Sequence, residues 1–279
     1  MSPPRDEERP VSEERVEELW EEIWPLLEAG KSEEAAAAAL RAMAEVEDAP
    51  ELHYLLGVSL MDMDQVSAAV RELERSVELA DDWAESRSAL AWAFFRNCLF
   101  DEAREQAARA LDLKPTLSEI HQLEGLLAER AGDEDRALIA FAEARRLAPD
   151  RYPDPYKMDA DEFLQIAKET VAELDDPIRR ALDATGFFVQ PVPADDLLTA
   201  EEPPLDPQLL GLFVGQSLLD QSLQDSGAMP NTLYLFQNNL ERAATSRAEL
   251  VEEIRITVLH EIGHHLGWDE DDLEERGLA

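Results

Sequence analysis

Cysteine is almost absent from this chain, and long apolar runs are absent altogether. Cys98 is the single cysteine among 279 residues, which excludes an intrachain disulfide and a cysteine-based metal site. Its apolar neighbours predict a small, buried core residue. No run approaches the ~20 apolar residues of a membrane-spanning helix, and the charged N-terminus lacks the apolar segment of a secretory signal. We therefore expect a cytoplasmic protein without a membrane partner.

Basic residues are scarce as well. The chain has 25 lysines and arginines against 63 aspartates and glutamates, for a net charge of −38. A negative charge of this size repels nucleic acid and anionic membranes and favours basic peptides or proteins as partners. The alternative is that the acidic residues only keep the protein soluble. Hydrophobic residues still make up 45% of the chain, enough for globular cores, and the length favours two domains.

A repeat of 34 residues organises the first half of the chain. Small residues recur at this spacing in two series: Gly57, Ala91, Gly125 and Ala69, Ala103, Ala137. Small side chains let paired helices approach closely, and Pro115 and Pro149 end the second helix of their units. The pattern resembles tetratricopeptide (TPR) repeats. This resemblance implies an all-α superhelix of about four helix pairs, at 16–49, 50–83, 84–117 and 118–151.

Composition places the boundaries of the domains. Residues 1–15 are rich in proline, glutamate and arginine, and we expect a disordered tail there. The TPR region then covers 16–151. Prolines crowd the segment from 149 to 155, which indicates the link to a second domain at 152–279.

The periodicity changes after this link. Amphipathic patterns predict a helix over 159–174 and a long helix over 247–266, which Gly267 ends. Aromatic and β-branched runs predict three strands, at 186–192, 209–214 and 232–236. The second domain is therefore expected to be a small α/β (α+β) domain. Two roles are possible for its third strand. The strand could form the wall of the substrate cleft, where an extended substrate pairs with its edge, or it could be a buried strand packed on the long helix.

The long helix ends in the sequence HEIGHH, residues 260–265, which contains the pattern H-E-x-x-H. His260 and His264 lie one helical turn apart on one face, so both imidazoles can bind a single Zn²⁺. Glu261 lies beside the first histidine, where it can act as general base toward a zinc-bound water. His265 is rotated by ~100° from His264, so we expect it either to support the ligands from behind or to pack, and not to bind the metal. The pattern predicts a zinc hydrolase, most simply a metallopeptidase.

A catalytic zinc usually has three protein ligands, and an acidic run follows Gly267. The extended zincin pattern H-E-x-x-H-x-x-G-x-x-(His/Asp) puts the third ligand at Glu270. Glutamate is one methylene longer than aspartate, so Asp269 or Asp271 remains an alternative. The glycine lets the chain turn back toward the metal.

From about residue 159 to the end, the chain resembles a family of small bacterial zincin-like metallopeptidases. The resemblance is carried by LLGLFVG at 209–215, NTLYLFQNNLER at 231–242 and TVLHEIGHHLGW at 257–268. It implies that His260 and His264 are zinc ligands and that Glu261 is the base. Glu270 stands where the family usually has an aspartate. In this sequence no methionine follows Glu270, so we expect the site to lack the methionine turn of larger metzincins.

Two functions are open at this point. In the first, a TPR superhelix recruits a partner or substrate and a zincin-like domain hydrolyses a peptide bond. In the second, the chain is an interaction scaffold whose zincin-like domain is structural or catalytically inactive. Both share one fold class: an all-α repeat domain followed by a small α/β domain.

Overall fold

A computed structural model describes residues 11–46, 48–174, 179, 182, 185–215, 231–268 and 272. The chain forms two compact units. The first comprises Met1–Pro149 with Glu201–Leu205, and the second comprises Asp150–Ala200 with Asp206–Ala279.

Consecutive helices pair along the first unit. They are Val11–Glu28 (α1), Ser32–Met43 (α2), Pro50–Asp62 (α3), Val66–Leu79 (α4), Ala84–Arg96 (α5), Phe100–Leu113 (α6), Ser118–Arg130 (α7) and Glu134–Leu147 (α8). Each even-numbered helix packs on the odd-numbered helix before it, and the odd-numbered helices contact one another in order. This is the TPR superhelix that the sequence predicts.

The turns within the helix pairs repeat with the same period. Gly30, Asp64, Cys98 and Gly132 are spaced by 34 residues, and their φ angles are 70°, 57°, 58° and 74°. A left-handed residue at this point ends one helix and redirects the chain into the next. Cys98 occupies such a turn and is only half-buried, so its predicted role as a buried core residue is wrong. Its apolar neighbours belong to the ends of the flanking helices.

The recurring small residues lie where two helices cross closely. A Cβ atom on Gly57 would lie 2.5 Å from Cγ of Leu73, and one on Gly125 would meet the ring of Phe141. Ala91, the member between them, is fully buried. The large partner in each pair fills the space that the small residue leaves, which explains why the period is visible in the sequence.

Helix α1 begins earlier than the sequence predicts. Residues 11–15 were assigned to the disordered tail, but they are helical and continue into the first repeat. Extending a helix that the repeat has already nucleated needs little further stabilisation. Arg15 adds ion pairs to Glu18 and Glu45. The rest of the predicted tail, 1–10, lies outside the described residues.

The described part of the second unit contains a small mixed sheet and several helices. The elements are Ala160–Ala172 (α9), Gly186–Gln190 (β1), Asp195–Leu198 (α10), Gly211–Val214 (β2), Thr232–Phe236 (β3), Gln237–Arg242 (α11) and Arg247–Leu266 (α12). The strand order is β1-β3-β2, with β3 parallel to β1 and antiparallel to β2. The predicted small α/β domain is confirmed.

Strand β3 is the central strand of this sheet. Both of its edges are hydrogen-bonded to neighbours, and Leu233 and Leu235 are buried. An extended substrate therefore has no free edge to join on β3, because strand addition needs unpaired backbone groups. Of the two roles open from the sequence, the buried strand is the correct one.

Helix α12 packs on this strand through one apolar stripe. Leu250, Ile254, Val258 and Ile262 recur every four residues, as one face of a helix requires, and pack with Leu233 and Leu235 in one core. The stripe holds the last two turns of α12, which carry the histidines, against the sheet. No helix in the described ranges is both long and apolar enough to cross a membrane.

Candidate functional site

Both ends of the motif helix α12 are fixed by capping interactions. At the start, the Ser246 hydroxyl accepts a hydrogen bond from the Glu249 N–H, and the Glu249 carboxylate accepts bonds from the N–H and hydroxyl of Thr245. This reciprocal arrangement is a capping box. At the end, Gly267 has φ 84°, and the Trp268 N–H donates to the Gly263 carbonyl. Gly267 therefore ends the helix, as the sequence predicts.

His260 and His264 face each other across the last full turn of α12. Their Nε2 atoms lie 2.9 Å apart, and the ring planes are nearly perpendicular. His264 is exposed and His260 is half-buried, so the pair opens to solvent. Two ligand nitrogens of one tetrahedral zinc lie about 3.3 Å apart. The geometry of the pair is thus close to that of two ligands of one metal ion.

The carboxylate of Glu261 lies between this pair and strand β2. Its Oε2 atom accepts a hydrogen bond from the backbone N–H of Phe213 at 2.9 Å. Burial raises the pKa of the Glu261 carboxyl, while the Phe213 N–H and the neighbouring His260 and His264 act in the opposite direction. A half-buried carboxylate beside two imidazoles is placed to act as a proton acceptor.

The register of β2 explains why its backbone reaches this carboxylate. The Phe236 N–H donates to the Leu210 carbonyl, and Phe213 is paired with Leu233. Hydrogen-bonded and non-hydrogen-bonded pairs alternate in an antiparallel ladder, so Phe213 directs its N–H away from β3. Within the described residues, the edge of β2 that does not pair with β3 therefore points toward α12. There the Glu261 carboxylate accepts the hydrogen bond from the Phe213 N–H.

Gly211 allows β2 to approach the helix this closely. A Cβ atom at this position would lie 2.7 Å from Cγ2 of Thr257 and 3.2 Å from Cγ of Glu261. Neither Gly211 nor Phe213 belongs to a sequence pattern that predicts a role in the site. One signal was available, because a glycine inside a predicted strand often marks a close approach of another part of the chain.

His265 lies on a different side of the helix from the histidine pair. Its ring is 3% exposed and stacks on Phe213, with 4.2 Å between the ring centroids. Its Nε2 atom lies 3.5 Å from the side-chain amide of Asn231. Burial lowers the pKa of the His265 imidazole, because it disfavours the charged ring. The surroundings of His265 are those of a packing residue, one of the two roles that the sequence left open for it.

The three candidates for the third zinc ligand, Asp269, Glu270 and Asp271, lie outside the described residues. Within the described ranges, no group of three or more histidine, cysteine, aspartate or glutamate side chains is placed to hold a metal ion. The described site therefore consists of two imidazoles and one neighbouring carboxylate. That donor set fits zinc, which accepts imidazole nitrogen and leaves further positions for a carboxylate and water.

The fold and the motif helix together define a helical-repeat protein with a zincin-like domain. Comparison with known families agrees with this class: residues 182–278 match the family described as zincin-like metallopeptidase. The second half of the chain is thus similar to zincin-like metallopeptidase domains over these residues. No curated protein matches the chain.

Solved structures similar to the chain include two TPR-type proteins. MamA from Desulfovibrio magneticus RS-1 is 23% identical, with a TM-score of 0.43, over 50% of this chain and 77% of that one. YrrB, described as a TPR protein with an unusual peptide-binding site, is 23% identical, with a TM-score of 0.41. That match covers 45% of this chain and 64% of YrrB.

Proposed function

We propose that this chain is a zinc-dependent peptidase whose TPR repeats recruit a protein partner or substrate. The observation that carries the proposal is the pair of imidazole nitrogens 2.9 Å apart on α12, with the carboxylate of Glu261 beside them. The pair lies inside the segment that matches the metallopeptidase family. A metal-binding pair next to a proton acceptor supplies two of the usual three zinc ligands and the general base that zinc-dependent hydrolysis uses.

His260 and His264 would supply two of the zinc ligands. Glu270 would supply the third, with Asp269 and Asp271 as the alternatives from the sequence. When bound, zinc makes a coordinated water more acidic and polarises the carbonyl of the substrate. To identify the third ligand, Asp269, Glu270 and Asp271 are each replaced by alanine and the zinc affinity of each variant is measured. We expect zinc affinity to fall more than about tenfold in Glu270→Ala alone.

Glu261 is the residue of this chain that would move the proton. One of its oxygens, Oε2, is held by the Phe213 N–H, so the side chain has a fixed direction. The other oxygen, Oε1, is left to take a proton from the attacking water and to return it to the leaving amine. Burial raises the pKa of this carboxyl, which makes it a stronger proton acceptor.

The repeats would bring the protein to be cleaved, or a partner that delivers it. Helical repeats stack into extended surfaces that suit protein ligands. The net charge of −38 favours a basic ligand. In the alternative function, the repeats act as a scaffold and the zincin-like domain is catalytically inactive.

One experiment separates these two functions. The metal-free chain and the chain loaded with one equivalent of zinc are each incubated with a fluorescently labelled unfolded protein. Zinc-dependent cleavage that stops on chelation and resumes on zinc addition is the expected result. Tight binding of zinc with no cleavage of the unfolded protein or of a random peptide library would support the inactive scaffold and overturn the peptidase.

A further inference from the structure

Four aromatic side chains from three helix pairs meet in the first unit. Trp20 and Trp24 come from α1, Tyr54 comes from α3, and Trp83 precedes α5; we call them the aromatic cluster. The ring centroids of Trp20 and Trp24 are 5.3 Å apart, and those of Tyr54 and Trp83 are 4.7 Å apart. All four side chains are half-buried. The cluster therefore has one side against the repeats and another side in solvent.

The polar tips of this cluster distinguish it from ordinary core packing. Tyrosine hydroxyls and indole N–H groups usually find a protein partner when they are buried. In the described part of the chain, the Tyr54 hydroxyl and the indole N–H groups of Trp20 and Trp24 have no hydrogen-bond partner and are not sealed from solvent. These groups are available to a ligand that lies on the cluster.

A row of glutamates follows the same helices. Glu51, Glu85 and Glu119 are spaced by the 34-residue repeat and lie in the first turns of α3, α5 and α7; we call them the glutamate row. Glu51 precedes Tyr54 by three residues and so lies on the same helix face. Burial, followed by the charges of Glu85 and Glu119, raises the pKa of the Tyr54 hydroxyl to about 12, which places both carboxylates near that ring.

The glutamate row is only partly neutralised. Glu85 is paired with Lys114 at 2.6 Å. Glu51 and Glu119 have no ion-pair partner within the described residues. Indole and phenol rings attract cations through their faces, and nearby carboxylates add Coulombic attraction. An acidic ligand would meet repulsion from the same carboxylates.

We propose that the aromatic cluster and the glutamate row form a docking surface for a basic peptide segment, whose lysine or arginine side chains lie over the rings and between the carboxylates. This deepens the recruiting role of the repeats in the proposed function. Charge complementarity selects the occupant: two unpaired carboxylates, aromatic rings and a strongly acidic protein all favour a cationic chain.

Binding of nonalysine to the full chain tests this surface. Glu261→Gln is introduced first, so that the peptide is not cleaved and the result does not depend on hydrolysis. Isothermal titration calorimetry at moderate ionic strength is then carried out with nonalysine and, for comparison, nonaglutamate. We expect saturable binding of nonalysine alone, weakened about threefold by Glu119→Gln and about three- to tenfold by Trp83→Leu.

Glu74→Gln is the matched control, because Glu74 is exposed on α4 and belongs to neither the cluster nor the row. It removes the same charge and should leave the affinity nearly unchanged. If Glu74→Gln lowered the affinity for nonalysine as much as Glu119→Gln does, nonalysine would be responding only to the net charge of the protein. That result would overturn the proposed docking surface. Absence of saturable nonalysine binding also overturns it. Should Trp83→Leu fail to fold, the Glu119→Gln and Glu74→Gln comparison decides alone.

Discussion

The backbone N–H of Phe213 and the carboxylate of Glu261 are joined by a hydrogen bond of 2.9 Å. The two residues are 48 positions apart in the chain and belong to different elements, strand β2 and the motif helix α12. Because the donor is a backbone group in a paired strand, it holds the carboxylate more rigidly than a mobile side chain would. Rigid support of this kind is what a catalytic group needs to keep its direction.

Removing this N–H should impair turnover without removing the metal. Phe213→Pro deletes the N–H, and the sheet tolerates the change because this N–H points off the ladder. Phe213→Leu is the matched control, since it also loses the ring contact to His265 but keeps the N–H. We expect kcat to fall about tenfold in the proline variant relative to the leucine variant, with similar KM and zinc content. Equal kcat in the two variants would show that the bond does not position Glu261.

Adding a single methyl group at Gly211 should destabilise the second unit. The Cβ atom of Gly211→Ala would meet Cγ2 of Thr257 at 2.7 Å. Overpacking of this kind costs about 1–3 kcal/mol. Urea unfolding followed by a probe in the second unit measures the loss. Thr257→Ser removes the opposing methyl group, so the double variant should recover part of the stability. Additive losses in the double variant would contradict a direct clash.

The three histidines of the motif helix should differ in their effect on zinc binding. His260→Ala and His264→Ala each remove one of the paired nitrogens and should abolish the binding of one zinc per chain. His265→Ala removes a buried ring that stacks on Phe213 and should largely keep the metal, with a loss of stability instead. Metal analysis after dialysis against a zinc buffer provides the measurement. Equal zinc loss from all three variants would refute the packing role of His265.

The capping box of α12 should make the second unit sensitive to acid. The backbone and side chain of Thr245 donate to Glu249 and hold the pKa of its carboxyl below the ordinary value. A group whose pKa is lower in the folded state stabilises the fold above its unfolded pKa of about 4.3. That contribution is lost as the pH falls through the folded pKa.

Comparison with Glu249→Gln isolates this effect. The unfolding free energy of wild type should exceed that of the variant at pH 7, and the difference should shrink steadily below about pH 4.5. Glu252→Gln serves as control, because Glu252 is exposed on the same helix and has no hydrogen bond within the described residues. A Glu249→Gln difference that does not change between pH 7 and pH 3 would show that the charge of this residue does not stabilise the helix.

The sequence predicted those features that depend on local spacing. The 34-residue period of Gly57, Ala91 and Gly125 predicted the helix pairs, because close helix crossing requires small residues at fixed positions. The pattern at 260–265 predicted which side chains share a helix face, and Gly267 predicted the end of the helix.

Features that depend on contacts between distant segments were not predictable. Strand β2 is only four residues long, and its sequence does not predict that the Phe213 N–H points toward Glu261. Similarly, the strand at 232–236 has the same composition whether it is central or at an edge, since strand order depends on the whole sheet. The role of Cys98 was mistaken because its neighbours indicated a core, whereas the repeat requires a left-handed turn there.

The most direct test of the proposed function is the effect of Glu261→Gln on hydrolysis by the zinc-loaded chain. Glutamine keeps the shape and the hydrogen bond to Phe213 but cannot accept the proton. We expect the variant to bind one zinc as tightly as wild type and to lose about 10²–10⁴-fold in kcat. Glu252→Gln, the same change at an exposed site on the same helix, should keep full activity. Cleavage by Glu261→Gln at the wild-type rate, with zinc bound, would contradict the assignment of Glu261 as the base.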